Sequence, residues 1–286
     1  MTAQSSGVGE SAGPSVGSGD GFDPSLSVRR DWEVRIEPAV GYFAPSGDLR
    51  LPAPMSAASA NTFSLEEIDL DSPRISPYGE LTITKGKWSI MATGLGLSID
   101  GGSISPIAGR VGDAPVALTD RIETSLDYAS FSLRAGYRVW SWTDGVTDRG
   151  VENLSVGVDA MLGLRVQTVE FDSRVVPAVA PAPGTPTTAS ADETYVEALA
   201  GGALSVSYRE TLGLDFFFSG GGMPGGDDSS TTLDLGVSFS YRPVAWVGGE
   251  IGYRLLVLDM QSGNGPDTFE WDGAVAGLYW GVQFRF

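Results

Sequence analysis

The chain has 286 residues, of which 39 are Gly and 17 Pro, and it carries a formal net charge of −18 with no Cys and no His. The absence of Cys removes disulfides and zinc–thiolate sites, and the absence of His removes the commonest general base and metal ligand. With Lys85 and Lys87 as its only lysines, the chain is not expected to bind phosphate backbones, which excludes nucleic acid as a partner. The Gly and Pro content favours strands and turns over helices, and no apolar run approaches the roughly 20 residues of a transmembrane helix.

The N-terminal sequence MTAQSSGVGESAGPSVGSGDGFDPS lacks a basic region followed by an apolar stretch, so it is not a signal peptide as it stands. Its Ser and Gly content predicts a disordered tail over residues 1–30, followed by one folded domain over residues 31–286. An exported protein needs a signal peptide, and we therefore expect the chain to be a processed form or to start late.

Ten segments after the tail alternate apolar and polar residues, which is the period of a β-strand with two unlike faces. They cover residues 32–44, 73–84, 88–100, 121–139, 154–171, 194–208, 211–219, 231–241 and 245–258, and the closing strand that ends at Phe286. The fourth segment changes parity near Ala129, which predicts a β-bulge or a strand that rises beyond a membrane.

The links between these segments alternate in length, being long after odd-numbered segments and shorter after even-numbered ones. Among the long links are 45–71 and 173–193, and the latter is rich in Pro, Ala and Thr. Ser64 and Glu67 have the spacing of a capping box, so the first of these links is predicted to hold a short helix or an extension of the next strand.

The closing strand places Phe286, Phe284 and Val282 on one apolar face, while polar residues and Gly occupy the other. A terminal aromatic on such a strand resembles the closing strand of Gram-negative outer-membrane β-barrels, in which it serves as an assembly signal. The resemblance covers about residues 31–286, and it implies an all-β, antiparallel up-and-down transmembrane β-barrel of about ten strands in the outer membrane. Long extracellular loops and short periplasmic turns are expected. The implied partners are outer-membrane lipid, lipopolysaccharide and, through the strand of Phe286, the barrel-assembly machinery.

Aromatic residues gather at the predicted strand ends, which predicts the two girdles that anchor a barrel in a bilayer. The predicted periplasmic girdle consists of Trp32, Trp88, Trp140, Trp142, Tyr208, Tyr241 and Phe286. The predicted outer girdle consists of Tyr42, Tyr128, Phe171, Tyr195, Phe218 and Phe269.

The polar face of the strands is predicted to line the lumen, where charges are expected to pair because an isolated charge is costly there. The candidate lumen-lining residues are Glu33, Arg35, Glu37, Glu80, Arg134, Arg138, Asp159, Arg165, Glu197, Asp215, Asp234, Glu250 and Arg254. Side chains nearly fill a barrel of about ten strands, so a wide porin is not expected. The sequence predicts a structural barrel or a narrow channel for small solutes.

Two other functions remain open on the sequence. The links 45–71 and 173–193 suit a surface-binding or adhesion barrel that contacts a partner. A soluble lipid-binding barrel would place the apolar face inward and a charged face outward. The polar strand faces contain mostly Gly and Ser with few charges, which favours a lumen over a solvated surface.

Families of barrel enzymes offer no site to carry over. Omptin-type proteases also have ten strands but use His with several Asp residues, and the outer-membrane phospholipase, lipid A palmitoyltransferase and lipid A deacylase families rely on His with Ser. Because this chain has no His, the prediction is that it is not an enzyme and has no catalytic or cofactor-binding residues.

Carboxylates cluster in the loops at residues 66–71 and 227–228. They lack the spacing of a calcium-binding loop, so no metal site is predicted. An alternative is that these acidic loops share bridging divalent cations with lipopolysaccharide phosphates.

Overall fold

The computed structural model describes residues 32–53, 62–105, 108–146, 152–223 and 225–286, and the predicted tail at residues 1–30 lies outside these ranges. Ten long antiparallel strands form one sheet, and pairing of the last strand with the first closes it into a barrel. The strands are β1 (Trp32–Arg50), β2 (Arg74–Lys85), β3 (Trp88–Ile104), β4 (Arg121–Val146), β5 (Glu152–Val176), β6 (Thr188–Tyr208), β7 (Leu212–Met223), β8 (Ser229–Val244), β9 (Val247–Ser262) and β10 (Phe269–Arg285).

Each strand pairs with its neighbour in the chain, and the seam between β10 and β1 runs from Arg35–Arg285 to Arg50–Glu270. Phe286 extends this seam, because its backbone N–H donates to the carbonyl of Val34 at 2.9 Å. A closed ring leaves no strand edge with unpaired backbone groups, which is the condition for a sheet to lie in lipid. The predicted up-and-down barrel is confirmed.

Over the described residues, no α-helix is long and apolar enough to cross a membrane.

The exterior of the barrel is apolar. The exposed apolar side chains of the strands include Ile36, Val40, Tyr42, Leu81, Ile90, Phe131, Leu133, Leu162, Leu164, Val166, Val196, Leu204, Leu214, Phe216, Phe218, Leu233, Leu235, Phe239, Ile251, Tyr253, Val257, Leu278, Trp280 and Val282. An apolar belt around a closed sheet suits lipid, whereas a soluble barrel turns this face inward.

The two ends of the barrel differ in the length of their connections. Links 86–87, 209–211 and 245–246 are short, and Gly86 takes a φ of 59°, a left-handed value that glycine adopts without strain. Links at the opposite end, such as 51–73 and 105–120, are longer. Both ends of the described chain, at Trp32 and Phe286, lie with the short turns, which identifies the periplasmic side.

The strands reach further beyond the membrane than the alternation predicts. β4 and β5 have 26 and 25 residues, whereas roughly 9–11 residues cross a bilayer. Residues 45–50, 173–176 and 188–193 therefore belong to strands, and the prediction of two long surface loops at 45–71 and 173–193 is wrong in extent.

Of the two explanations predicted for the change of pattern near Ala129, the β-bulge is wrong and the strand that rises beyond the membrane is confirmed. Even-numbered residues of β4 point inward without interruption from Ile122 to Arg134. The chemistry of the inward positions changes instead, from apolar above Tyr128 to polar below it, and this change imitates a bulge in the sequence.

The outer half of the barrel is filled by a buried apolar core, which we call the plug. Its members come from the strands and from the link between β1 and β2. They are Phe43, Leu49, Leu51, Phe63, Leu65, Ile68, Leu70, Tyr78, Leu95, Leu97, Ile99, Ile122, Leu126, Tyr128, Val169, Phe171, Val175, Tyr195, Leu256, Leu258, Met260, Phe269, Trp271, Val275 and Tyr279, with smaller contacts from Val111, Ala114, Val116 and Ala191. The rings of Tyr128 and Trp271 meet edge to face at 5.7 Å. This half of the barrel resembles the core of a soluble β-protein.

Residues 62–70 fold into the mouth of the barrel rather than over it. Ser64 and Glu67 form the predicted capping box, since each backbone N–H donates to the other side chain at 3.1 and 3.2 Å. The box closes a turn and not a helix. It directs Leu65 and Leu70 into the plug, where both are fully buried.

Only one of the two predicted aromatic girdles is confirmed. All seven residues predicted for the periplasmic girdle are exposed on the barrel exterior. On the outer side Tyr42 and Phe218 face outward, but Tyr128, Phe171, Tyr195 and Phe269 are buried in the plug, so that part of the prediction is wrong. Those four occupy inward positions of their strands, and their place near a strand end does not determine which face they join.

Asp120 ties two extracellular links together. Its carboxylate accepts hydrogen bonds from the backbone N–H of Ala117 at 2.8 Å and of Ala178 at 2.9 Å. The hydrogen bonds from Ala178 and Ala117 lower the pKa of the Asp120 carboxyl because they stabilise its charged form. The links after β3 and β5 are thereby joined above the plug.

Candidate functional site

Beneath the plug the interior is polar and has two layers. The upper layer is a cluster of three guanidinium groups around one carboxylate, formed by Arg134, Arg165, Arg254 and Asp234, which we call the arginine cluster. The lower layer is a cavity open to the periplasmic side, which we call the vestibule.

The arginine cluster joins β4 and β5 to β8 and β9, two pairs of neighbouring strands that are distant from each other in sequence. Asp234 on β8 accepts hydrogen bonds from Arg254 at 2.7 and 2.9 Å, from Arg134 at 2.9 Å and from Arg165. All four side chains are at most 2% exposed. A buried carboxylate that compensates three cations makes the cluster depend on a single side chain.

Glu197 supplies the second negative charge of this layer. It accepts hydrogen bonds from Ser230 at 2.5 Å and Thr232 at 2.7 Å, and it lies 3.8 Å from Arg165. The three guanidinium groups and two carboxylates leave one positive charge in excess. The ring of Phe217 lies 5.2 Å from the Arg134 guanidinium and 5.7 Å from that of Arg254, so its face offsets part of this excess.

The arginine cluster and the plug together close the lumen. The aromatic side chains above the cluster are fully buried, and guanidinium groups from β4, β5 and β9 meet at the barrel axis.

The vestibule has a volume of about 400 Å³ and is lined by charged and hydroxyl side chains. At its inner end Arg35 lies 3.0 Å from Glu37 and 3.0 Å from Glu80. Tyr279 donates from its hydroxyl to Glu250 at 3.1 Å, in space left by Gly252, where a Cβ would meet the phenol ring at 2.4 Å.

Nearer the periplasmic rim the charges of the vestibule are paired. Arg138 binds Asp159 through two hydrogen bonds at 2.5 and 3.0 Å, and Arg285 donates to Glu33 at 2.6 Å. These pairs leave the rim close to neutral.

The thirteen candidate lumen-lining residues divide between the two layers. The arginine cluster and its neighbourhood hold Arg134, Arg165, Glu197, Asp234 and Arg254. The vestibule holds Glu33, Arg35, Glu37, Glu80, Arg138, Asp159, Asp215 and Glu250. The candidate set contains only charged residues and so leaves out the uncharged partners Thr232, Tyr279 and Gln283. The alternation of β8 and β10 places all three on the inward face.

On the outside of the barrel, two rows of like charges run across neighbouring strands, and we call them the carboxylate rungs. One joins Asp127, Glu170 and Asp192 on β4, β5 and β6, and the other joins Asp48, Asp272 and Asp259 on β1, β10 and β9. All six side chains are exposed. Directly opposed side chains lie about 5 Å apart at Cβ, so like charges there are destabilising unless something shields them.

The rungs lie beyond the apolar belt on the extracellular side. Asp127, Glu170 and Asp192 stand four positions beyond Phe131, Val166 and Val196, which are exposed and apolar. Four residues of a strand cover about 13 Å, or roughly 10 Å of height at a tilt of about 40°. We therefore expect the rung of Asp127, Glu170 and Asp192 to lie at the level of the outer-leaflet headgroups. In the other rung, Asp259 stands two positions beyond the exposed Val257.

Within the described ranges, Asp and Glu nowhere gather into a group of three or more that could hold a metal ion. The carboxylates of each rung extend outward side by side and do not converge on one point. Any cation at a rung would need further ligands from outside the protein.

Of three comparisons with known proteins, the one with solved structures found similar chains, among them outer-membrane barrel proteins. No protein-family model and no curated protein matches the chain. Among solved structures, the outer-membrane protease OmpT of Escherichia coli is similar at 12% identity and a TM-score of 0.47, with 89% of this chain and 97% of that one covered. The attachment invasion locus protein Ail of Yersinia pestis is similar at 12% identity and a TM-score of 0.31, covering 89% and 99%. The translocator domain of the autotransporter NalP of Neisseria meningitidis is similar at 13% identity and a TM-score of 0.30, covering 88% of each chain.

One prediction from the sequence is corrected by these comparisons. The prediction that the chain is not an enzyme is contradicted, because a protease is among the barrels it resembles. The absence of His means that the His-dependent sites of the known barrel-enzyme families are not present here, but it does not rule out catalysis by other residues. At 12–13% identity the likeness extends to the fold and to no particular activity. The closed antiparallel ring, the apolar exterior and the unequal ends make this chain a transmembrane β-barrel of the outer-membrane type.

Proposed function

We propose that the protein is a closed, structural barrel that binds the lipopolysaccharide layer through its carboxylate rungs, with divalent cations between the carboxylates and the lipid phosphates. The observation that carries this proposal is the pair of rungs, each with three carboxylates in cross-strand register. Hard divalent cations prefer such oxygen ligands, and phosphate oxygens would complete their coordination.

Two further features support a structural role. The plug fills the outer half of the barrel, and the arginine cluster closes its centre, so neither end leads through it. Inward side chains of β4 and β5 also pack into the plug where these two strands extend beyond the membrane. The rungs are thus held on a rigid wall.

The proposal is tested by the thermal unfolding of the barrel in lipopolysaccharide bilayers, with Mg²⁺ present and after its removal by EDTA. We expect EDTA to lower the wild-type midpoint by several degrees, because about 1 kcal/mol corresponds to roughly 2–4 °C for a protein of this size. In the variant Glu170→Gln/Asp272→Asn, which neutralises the centre of each rung, the midpoint should respond much less to EDTA.

The matched control is Asp144→Asn/Glu210→Gln, which makes the same change of charge at the periplasmic end of β4 and in the turn after β6. It should respond to EDTA as the wild type does. An equal response of both variants to EDTA would refute the proposal, as would the same wild-type response in phosphatidylcholine bilayers.

A narrow channel is the second candidate, and the vestibule favours it. Its polar lining reaches from the periplasmic rim to the arginine cluster, so only the cluster and the plug would need to move for a path to open.

Planar-bilayer recording decides between the two candidates. We expect no discrete conductance steps from the wild-type barrel, because its lumen is filled across two layers, while a general porin in the same bilayer provides the positive control. Discrete steps from the wild type would contradict the closed barrel and support the channel.

A further inference from the structure

The inner end of the vestibule has more carboxyl groups than cations to pair with them, and it therefore holds a surplus of acidic side chains. Four carboxylates, those of Glu37, Glu80, Asp215 and Glu250, surround the single guanidinium of Arg35. Arg35 forms ion pairs with Glu37 and Glu80 only. Among the described residues, Asp215 and Glu250 form no ion pair within 4.0 Å.

The remaining cations of the vestibule do not remove this surplus. Arg138 and Arg285 are paired with acids nearer the rim. Lys87 and Arg242 at the rim are matched in number by Glu152 and Glu210. The surplus therefore lies at the inner end, where solvent screening is weakest.

A further acceptor at the same place has no partner. Gln283 lines the vestibule and is 2% exposed. Its amide N–H donates to Glu37, which fixes the orientation of the amide, and its Oε1 has no hydrogen-bond partner in the described part of the chain. A buried acceptor without a donor is costly.

Within the residues that the structure describes, Gln283 Oε1 is an unpartnered acceptor, while Arg35 Nε and Arg242 Nε are unpartnered donors that also line the vestibule. The two carboxylates without an ion pair, Asp215 and Glu250, together with Gln283 Oε1, suit a ligand that combines positive charge with N–H donors. A metal ion is not indicated, since no suitable group of carboxylates converges there. A volume of about 400 Å³ is within the size range of small-molecule sites and has room for a short organic cation.

We propose that the vestibule is a binding site for a small organic cation that bears primary ammonium or guanidinium groups and enters from the periplasm. Asp215 and Glu250 bind the cationic head, and Gln283 accepts one of its N–H groups. This site is independent of the carboxylate rungs, which lie on the exterior at the opposite end of the barrel.

The site is tested by isothermal titration calorimetry, in which cadaverine is added to the purified barrel in detergent micelles at near-physiological salt. We expect saturable binding to the wild type, and in Asp215→Asn/Glu250→Gln a dissociation constant at least about tenfold higher, as the loss of a charge-assisted hydrogen bond predicts. The two single variants should each show part of this loss. They serve as the test if the double variant does not show the heat-dependent gel mobility of a folded barrel.

The matched control is Asp144→Asn/Glu123→Gln, which makes the same change of charge at exposed positions of β4 that belong neither to the vestibule nor to a rung. It should bind cadaverine as the wild type does. Wild-type protein that does not bind cadaverine, or equal loss of binding in the control, would overturn the proposal. Saturable binding of Mg²⁺ with the same dependence on Asp215 and Glu250 would also overturn it, because the site would then be a metal site.

Discussion

Replacing Asp234 by asparagine is expected to lower the free energy of unfolding of the barrel by about 3–5 kcal/mol, the usual cost of removing one partner from a buried ionic network. Asparagine keeps the shape of the side chain but removes the charge that three guanidinium groups share. Glu197 would then be the only carboxylate facing three buried cations. Urea titration in lipid bilayers, followed by tryptophan fluorescence and gel mobility, measures the change.

Asp144→Asn is the control for this prediction, since Asp144 lies exposed near the periplasmic end of β4 and belongs to no rung. Its effect should stay within about 0.5 kcal/mol, as is usual for surface substitutions. Equal midpoints for the Asp234 variant and the wild type would show that the cluster does not hold the barrel closed, and the closed-lumen argument would fail with it.

Trp271→Ala is the second substitution with a large expected effect, a loss of about 3–5 kcal/mol from a cavity in the plug. Trp271 on β10 is fully buried, its ring meets that of Tyr128, and its Nε1–H donates to the carbonyl of Ser46 at 3.3 Å. The surrounding strands are hydrogen-bonded on both sides, so the site has little freedom to collapse. The same urea titration measures the loss.

Trp280→Ala on the same strand is the matched control. Trp280 faces outward and is 50% exposed, so lipid fills the space that its removal leaves, and no cavity forms. Its effect should be clearly smaller than that of Trp271→Ala. The reverse order would mean that the plug is loosely packed and that the extracellular half of the barrel is not a rigid wall.

The alternation of residues was enough to predict the barrel, because lipid contact constrains every second residue of a strand locally. Leu278, Trp280 and Val282 face outward on β10 as their parity predicts, and the unequal links orient the barrel. The plug could not be predicted in the same way. Residues 255–258 on β9 are apolar on both faces, and only ring closure shows that Leu256 and Leu258 pack against inward residues of other strands.

Within the membrane-spanning part of the strands, the sequence by itself determined most of the residues that face lipid. It also determined which end of the barrel is periplasmic and how many strands close the ring, since each follows from a pattern within one segment or link. It identified charged residues with inward parity as well. Only the tertiary structure decided what those residues contact: Asp234 meets Arg134 and Arg165 across sequence separations of 100 and 69 residues. Such contacts depend on the curvature and register of the whole barrel, and the same closure turns residues 62–70 from a surface loop into part of the core.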